Sequence, residues 1–374
     1  MSWRKILIES MIQGAAWPAS RGVRPPNKPS SVFILRNNDI GDLLIVTPLF
    51  EALKRLYPDA RIIAGIGSWN QDVLRNNPWV DQVLPINAPW FNKQICRYYA
   101  HSPRGLWDSL RYILTSPEVK QLKQIRCDIG IDVLGSPAGS LLALQAGIPW
   151  RLGVKGYAGG YSACQQYVEF SLDQHVGQAA LRFAELLGAQ SLPEARPQLF
   201  LTQPEKDQAI QTWNFKDKKP NAIKRILVAP GGGFIQKCWP KEYYQELVAK
   251  IALNSNVNLI IVGSKSDYEL GEFVRAGSTA VTNLCGNVSL RDTFALVWAA
   301  DGVICNSSMV LHVAAAFNRP TAVLLGQYYD SAKGHKKNWG YGTHDLHLGR
   351  EADRDYIFSV DEVMHASRPH LGLS

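Results

Sequence analysis

Short apolar runs alternate along this chain with longer stretches whose apolar positions recur at helical spacing. The first block predicts a strand at Val32–Leu35 and a helix at Leu43–Tyr57, with Leu49, Phe50, Leu53, Leu56 and Tyr57 on one stripe. It continues with a strand at Arg61–Gly65, a short helix at Asn70–Asn76 and a strand at Gln82–Ile86. A buried strand at Ile129–Leu134 then runs into Gly135, followed by helices at Ser140–Ala146 and at Gln178–Leu187, the latter closed by Gly188.

After Pro193–Pro204, residues 205–213 read as helix and Lys216–Lys224 as an exposed connection. The second block predicts strands at Arg225–Ala229, Val257–Val262, Gly302–Cys305 and Thr321–Leu325. Helices are predicted at Lys241–Ala252, Tyr268–Ala276, Leu290–Ala300 and Val310–Phe317. Two series of alternating strands and helices imply an α/β protein with two Rossmann-like parallel-sheet domains. The boundaries follow: a basic extension and linker over 1–30, a first domain over 31–204, a second over 220–350, and a helix and tail over 351–374 that packs back on the first domain.

Residues 87–126 fit the alternation poorly. They set Arg97, Arg104, Arg111, Lys120 and Lys123 among Trp90, Tyr98, Tyr99, Trp107 and Tyr112, which suits either a grip on an acidic lipid or glycan or an ordinary helical insertion. No nucleic-acid-binding module surrounds them, so nucleic acid is not an expected partner. The first residues likewise read either as a loose extension or as a weak amphipathic helix (Trp3, Leu7, Ile8, Met11, Ile12) on a bilayer surface.

A chain of 374 residues with 46% hydrophobic and 19% charged content is globular and long enough for two domains. Its formal charge of +8 favours anionic partners such as phosphates, acidic glycolipids or a membrane surface. The six cysteines lack C-x-x-C or Cys/His spacing and read as reduced thiols of a cytosolic protein, with peripheral contact at the inner face of the membrane as an extension of that reading.

Two glycine-marked turns carry the candidate chemistry. Pro230-Gly231-Gly232-Gly233 follows an apolar strand, and Gly231 and Gly232 let backbone approach a pyrophosphate without a side-chain clash. Lys237 is either the cation that neutralises such a group or a solvated lysine. Asn306-Ser307-Ser308 opens a helix whose first-turn N–H groups favour an anion, with Ser307 or Ser308 as its N-cap and His312 one turn in. In the first half, Asp42 follows Gly41 and is either a helix-capping residue or a base for a sugar hydroxyl, a role for which Asp39 competes. No metal is expected, because His344-Asp345-Leu346-His347 lacks supporting ligands. A G-x-S-x-G elbow and a complete dinucleotide fingerprint are both missing.

In order along residues 32–326, these pieces resemble glycosyltransferase family 9, the lipopolysaccharide heptosyltransferases. The opening resemblance runs through Ile34-Leu35-Arg36, Ile40-Gly41-Asp42-Leu43-Leu44, Thr47-Pro48-Leu49 and Tyr57-Pro58. It continues through Asp128-Ile129-Gly130-Ile131-Asp132, an Arg151-Leu152-Gly153 turn, and His175 ahead of Leu186-Leu187-Gly188. The second half adds Pro230-Gly231, Lys237 with Trp239-Pro240, Cys285-Gly286, and Ala300-Asp301 through His312 to Pro320.

The resemblance implies a GT-B fold, two Rossmann-like domains facing across a cleft, and an inverting transfer without metal or other cofactor. It makes Asp42 the general base and assigns donor phosphate to Gly231, Gly232, Lys237, Ser307, Ser308 and His312. Asp267 or Glu269 would meet the ribose or base. The donor would be a nucleotide-diphosphate sugar, ADP-heptose by family, and the acceptor a glycan or glycolipid. One departure stands out: the family's Asp-Ser-Gly-x-x-His is Ser307-Ser308-Met309-Val310-Leu311-His312 here. An epimerase-like nucleotide-sugar enzyme and a non-catalytic nucleotide- or glycan-binding relative are the alternatives.

Overall fold

In the computed structural model, which describes residues 3–100, 102–215, 224–254 and 256–373 (backbone alone for 3–8 and 215), the chain divides into two units, Met1–Ala195 and Arg196–Ser374. The first unit runs α1 (Trp3–Ser20), β1 (Ser31–Leu35), α2 (Ile40–Leu56), β2 (Arg61–Ile66), α3 (Gln71–Leu74) and β3 (Gln82–Pro85). It continues α4 (Pro103–Thr115), α5 (Pro117–Ile125), β4 (Ile129–Asp132), α6 (Pro137–Gln145), β5 (Trp150–Lys155), β6 (Gln166–Glu169) and α7 (Val176–Leu186).

The second unit runs α8 (Gln203–Phe215), β7 (Lys224–Ala229), α9 (Lys241–Ala252), β8 (Val257–Ile261), α10 (Tyr268–Arg275), β9 (Val281–Asn283) and α11 (Leu290–Ala299). Then come β10 (Gly302–Cys305), α12 (Met309–Ala316), β11 (Thr321–Leu324), α13 (Ala332–Trp339), β12 (Asp345–Leu348) and α14 (Val360–Leu371).

Both sheets are wholly parallel. Their orders, β3-β2-β1-β4-β5-β6 and β9-β8-β7-β10-β11-β12, repeat one doubly wound pattern. The central strands read as near-continuous apolar runs because helices cover both faces; β1 and β8 are buried at every position. In each sheet the chain reverses direction of winding beside its first strand, between β1 and β4 and between β7 and β10. Ligands of such sheets bind beyond the carboxyl ends of the strands at that reversal.

Three placements differ from the sequence expectation. Residues 196–204 belong to the second unit, where α8 buries Trp213 completely and Glu205 holds Arg291 of α11 at 2.6 Å. Helix α14 belongs to the second unit and packs into its core through Val360, Val363 and Leu371. Arg151-Leu152-Gly153 lies inside β5 rather than in a turn; the buried guanidinium donates to the carbonyls of Ile148, Pro149 and Ala163.

The same arginine reaches Ser20 Oγ at 2.8 Å at the end of α1. Helix α1 also buries Ile12 and Ala16 against Ala163, and Glu9 accepts a hydrogen bond from the Tyr161 hydroxyl. It is therefore docked on its unit. The side chains of Trp3, Leu7 and Ile8, and the connection at 216–223, lie outside the described residues.

Candidate functional site

The first reversal point is built on β1, α2 and β4. Asp39 takes the N-cap of α2 and Asp42 its N3 position, so the two form a capping box in which Asp42 Oδ2 accepts the Asp39 N–H at 3.3 Å. Asp39 is further occupied by Lys93, whose N–H it accepts at 3.2 Å. The other Asp42 oxygen takes Arg36 Nη2 at 3.3 Å, and Arg36 Nε reaches the Asp42 carbonyl. Arg36 is almost fully buried while the Asp42 side chain keeps 34% exposure. Capping and availability thus coexist at Asp42.

Next to it Asp132 ends β4, in register with Leu35. Its carboxylate is buried and accepts the Ser136 N–H at 2.7 Å, at the start of α6. Burial pushes this carboxyl up to about 6, although backbone N–H groups of Ser136, Gly135 and Leu134 and the charge of Arg36 oppose the rise. Gly139 is required beneath it: a Cβ there would stand 2.2 Å from Asp132 Oδ2.

The second reversal point is held by Asn306, whose side chain is buried at the end of β10. Its Nδ2 donates to the Pro230 carbonyl at 2.6 Å, and its Oδ1 accepts the Trp239 N–H and the Tyr244 hydroxyl at 2.9 and 3.0 Å. One carboxamide thereby fixes both ends of the loop that carries the glycines and Lys237. Gly232 and Gly233 are exposed. A Cβ on Gly231 would meet Asp267 Oδ1 at 2.7 Å and one on Gly232 would meet Cys238 Sγ at 2.7 Å, so these glycines are needed by the loop's own packing as well.

Lys237 closes a single helical turn, Ile235–Lys237, and places its ammonium 4.8 Å from the Tyr328 ring centre. Asp267 caps its own turn by accepting the N–H and hydroxyl of Ser264. Glu269 is exposed in the first turn of α10.

At α12 the expected cap is only half realised. Ser308 occupies the N-cap position but makes no capping hydrogen bond, unlike Ser289, Ser331 and Ser359 at their helices. Ser307 instead meets His335 Nε2 at 2.7 Å. His335 Nδ1 lies 2.8 Å from His347 Nδ1, and His347 Nε2 lies 2.6 Å from Asp345 Oδ2. His312 Nδ1 pairs with the Tyr341 hydroxyl at 2.8 Å. Burial, then the neighbouring charges of His347, His312 and Lys237, drive His335 down to about 2.

Asp345 and His347, weighed from sequence only as metal ligands, are thus members of a buried hydrogen-bonded chain. Among the described residues, no group of three His, Cys, Asp or Glu is arranged to hold a metal ion. The signal available beforehand was the alternation in Asp345-Leu346-His347-Leu348, which is a strand with one polar face. Nothing local pointed to His335, and Arg36 and Asn306, which stand in the motifs quoted above, show their roles only through their hydrogen bonds.

The Glyco_transf_9 family, described as glycosyltransferase family 9 (heptosyltransferase), matches residues 118–341. Lipopolysaccharide heptosyltransferase 2 of Salmonella typhimurium is 26% identical over 315 residues, covering 79% of this chain and 82% of the relative. The crystal structure of a family 9 glycosyl transferase from Veillonella parvula superposes with a TM-score of 0.73 at 18% identity, covering 93% of this chain and 99% of that one. ADP-heptose lps heptosyltransferase II of E. coli gives a TM-score of 0.69 at 21% identity, over 91% and 98%. The fold class is accordingly GT-B: α/β, with two Rossmann-like parallel sheets. The chain belongs to glycosyltransferase family 9, the heptosyltransferase family, and is a glycosyltransferase.

Proposed function

We propose that this enzyme transfers heptose from ADP-heptose to a hydroxyl of a lipopolysaccharide-type glycolipid, with inversion and without a metal ion. The observation that carries the reading is Asp42: a partly exposed carboxylate, held by Arg36 at the carboxyl end of β1. It acts as general base on the acceptor hydroxyl. The second unit holds the donor. Lys237, the exposed glycine turn and the uncapped start of α12 at Ser308 receive the diphosphate, supplying fixed positive charge and N–H groups where a divalent ion would otherwise serve. His312 helps to position the sugar nucleotide, and Asp267, beside Gly231, is better placed than Glu269 for the ribose. The names of the relatives, which act on lipopolysaccharide or use ADP-heptose, support donor and acceptor.

The test is turnover of ADP-heptose with a lipopolysaccharide-core acceptor, with the anomer of the product read by NMR. Inverted product, retained in the presence of a chelator, supports the proposal. Consumption of the donor without acceptor points to an epimerase-like enzyme, and binding without turnover to a non-catalytic relative.

A glycolipid acceptor has to be met at a membrane, and α4 supports that contact. Leu106, Trp107, Leu110 and Leu114 are all exposed and lie on one stripe, beside exposed Arg104 and Arg111. An apolar stripe flanked by cations fits an anionic bilayer surface. Among the described residues, no helix is long and apolar enough to cross a membrane.

A further inference from the structure

Three hydrogen bonds link Ser307, His335, His347 and Asp345 in series, at 2.7, 2.8 and 2.6 Å. His335 and Asp345 are buried, and the His347 side chain is 1% exposed. A neutral imidazole ring carries one N–H. The carboxylate of Asp345 can only accept, and it also accepts the Tyr341 N–H. His347 must then donate through Nε2, which leaves its Nδ1 bare. His335 must donate to that atom through Nδ1, which leaves its own Nε2 bare. The one group able to donate to this nitrogen is the Ser307 hydroxyl. Three links consume the three available protons, and the order has no other solution.

Ser307 is half-buried at the turn after β10. With the serine proton committed, any ligand group must donate to Ser307. A diphosphate oxygen carries no proton at neutral pH and is therefore the wrong partner. A sugar hydroxyl is the right one.

We propose that Ser307 is an obligate hydrogen-bond acceptor that selects a hydroxyl of the transferred sugar, its proton being held by His335 through the chain from Asp345. This rests on the second unit being the donor-binding half, and it removes Ser307 from the phosphate ligands. His335 and His347 are positioning residues for the serine.

The experiment has two arms. In the first, long-range nitrogen–proton NMR of the intact protein at pH 8 reads the tautomers. The proposal requires Nδ1–H on His335 and Nε2–H on His347; an Nε2–H on His335, or a doubly protonated His347, overturns it. In the second, Ser307→Ala is titrated with ADP and with ADP-heptose. The expected result is unchanged ADP affinity and an ADP-heptose affinity weaker by about fivefold or more, as for one hydrogen bond. Ser307→Thr, which keeps the hydroxyl, should restore most of it. Equal weakening towards both ligands puts the Ser307 contact on the ADP part of the donor and overturns the assignment. If the wild-type protein binds neither nucleotide, the donor reading falls and the sugar assignment with it, while the tautomer arm still reports the proton order.

Discussion

Arg36 holds Asp42 twice, by Nη2 to the carboxylate at 3.3 Å and by Nε to the backbone carbonyl of the same residue at 3.3 Å. The second bond fixes the helix start and the first fixes the side chain on it, so one buried guanidinium sets both position and rotamer. Asp42→Asn keeps the shape but removes the base, together with one of the two oxygens that accept from Asp39 N–H and Arg36. Turnover should fall by roughly 100-fold or more with ADP-heptose binding retained. Near-normal turnover would dismiss Asp42 as the base. Arg36→Met should lower turnover less, through misplacement.

Asn306 satisfies a buried carbonyl, a buried N–H and a buried hydroxyl at once. Asn306→Leu should destabilise the second unit by about 3 kcal/mol, because the partners are left unsatisfied in the interior. Urea unfolding followed by tryptophan fluorescence measures this directly; a loss under about 0.5 kcal/mol, the range of ordinary surface changes, would contradict it.

Two buried groups give stability opposite pH slopes. Asp132 titrates near 6 in the folded chain and near 3.8 when unfolded, so the native state binds the extra proton between those values. Its contribution therefore falls as pH rises from about 4 to 6. His335, held down to about 2 against an ordinary 6.5, is protonated in the unfolded state first, so its contribution falls as pH drops below 6.5. Unfolding free energies from pH 4 to 8 should show the first slope vanish in Asp132→Asn and the second in His335→Asn. Unaltered slopes would mean that neither group titrates across the transition.

The stripe on α4 predicts binding to vesicles containing phosphatidylglycerol, weakened by salt through Arg104 and Arg111. Leu110→Glu with Leu114→Glu should abolish co-sedimentation and leave turnover of a water-soluble acceptor fragment intact. Equal sedimentation of both proteins would remove α4 as the contact.

Much of the fold was legible because a parallel strand buried on both faces has to be an apolar run. Ser31–Leu35, Val257–Ile261 and Gly302–Cys305 are such runs, and their following turns are marked by Gly41, Ser264 or Ser308. The missed strands are those at or near the sheet edges. Gln166–Glu169 has two half-covered or exposed polar ends, and Asp345–Leu348 hides an acid and an imidazole that satisfy each other. Arg151 misled for a related reason: a guanidinium in a strand is tolerable only when acceptors surround it, and two of these, the Ala163 carbonyl and Ser20 Oγ, come from outside its own stretch of sequence. The site divides the same way. In the candidate site Asp42, Lys237 and His312 stand at turns that the sequence marks, whereas Asn306 and His335 meet partners distant along the chain.

The strand order is the same in both sheets, and neither sheet borrows a strand from the other half. A crossover between Ala195 and Arg196 would thus sever no ladder and leave each core with all of its own layers. Recombination at that joint is an open route for such proteins to exchange one sheet unit for another, and hybrids spliced there from two relatives are the natural material in which to watch it happen.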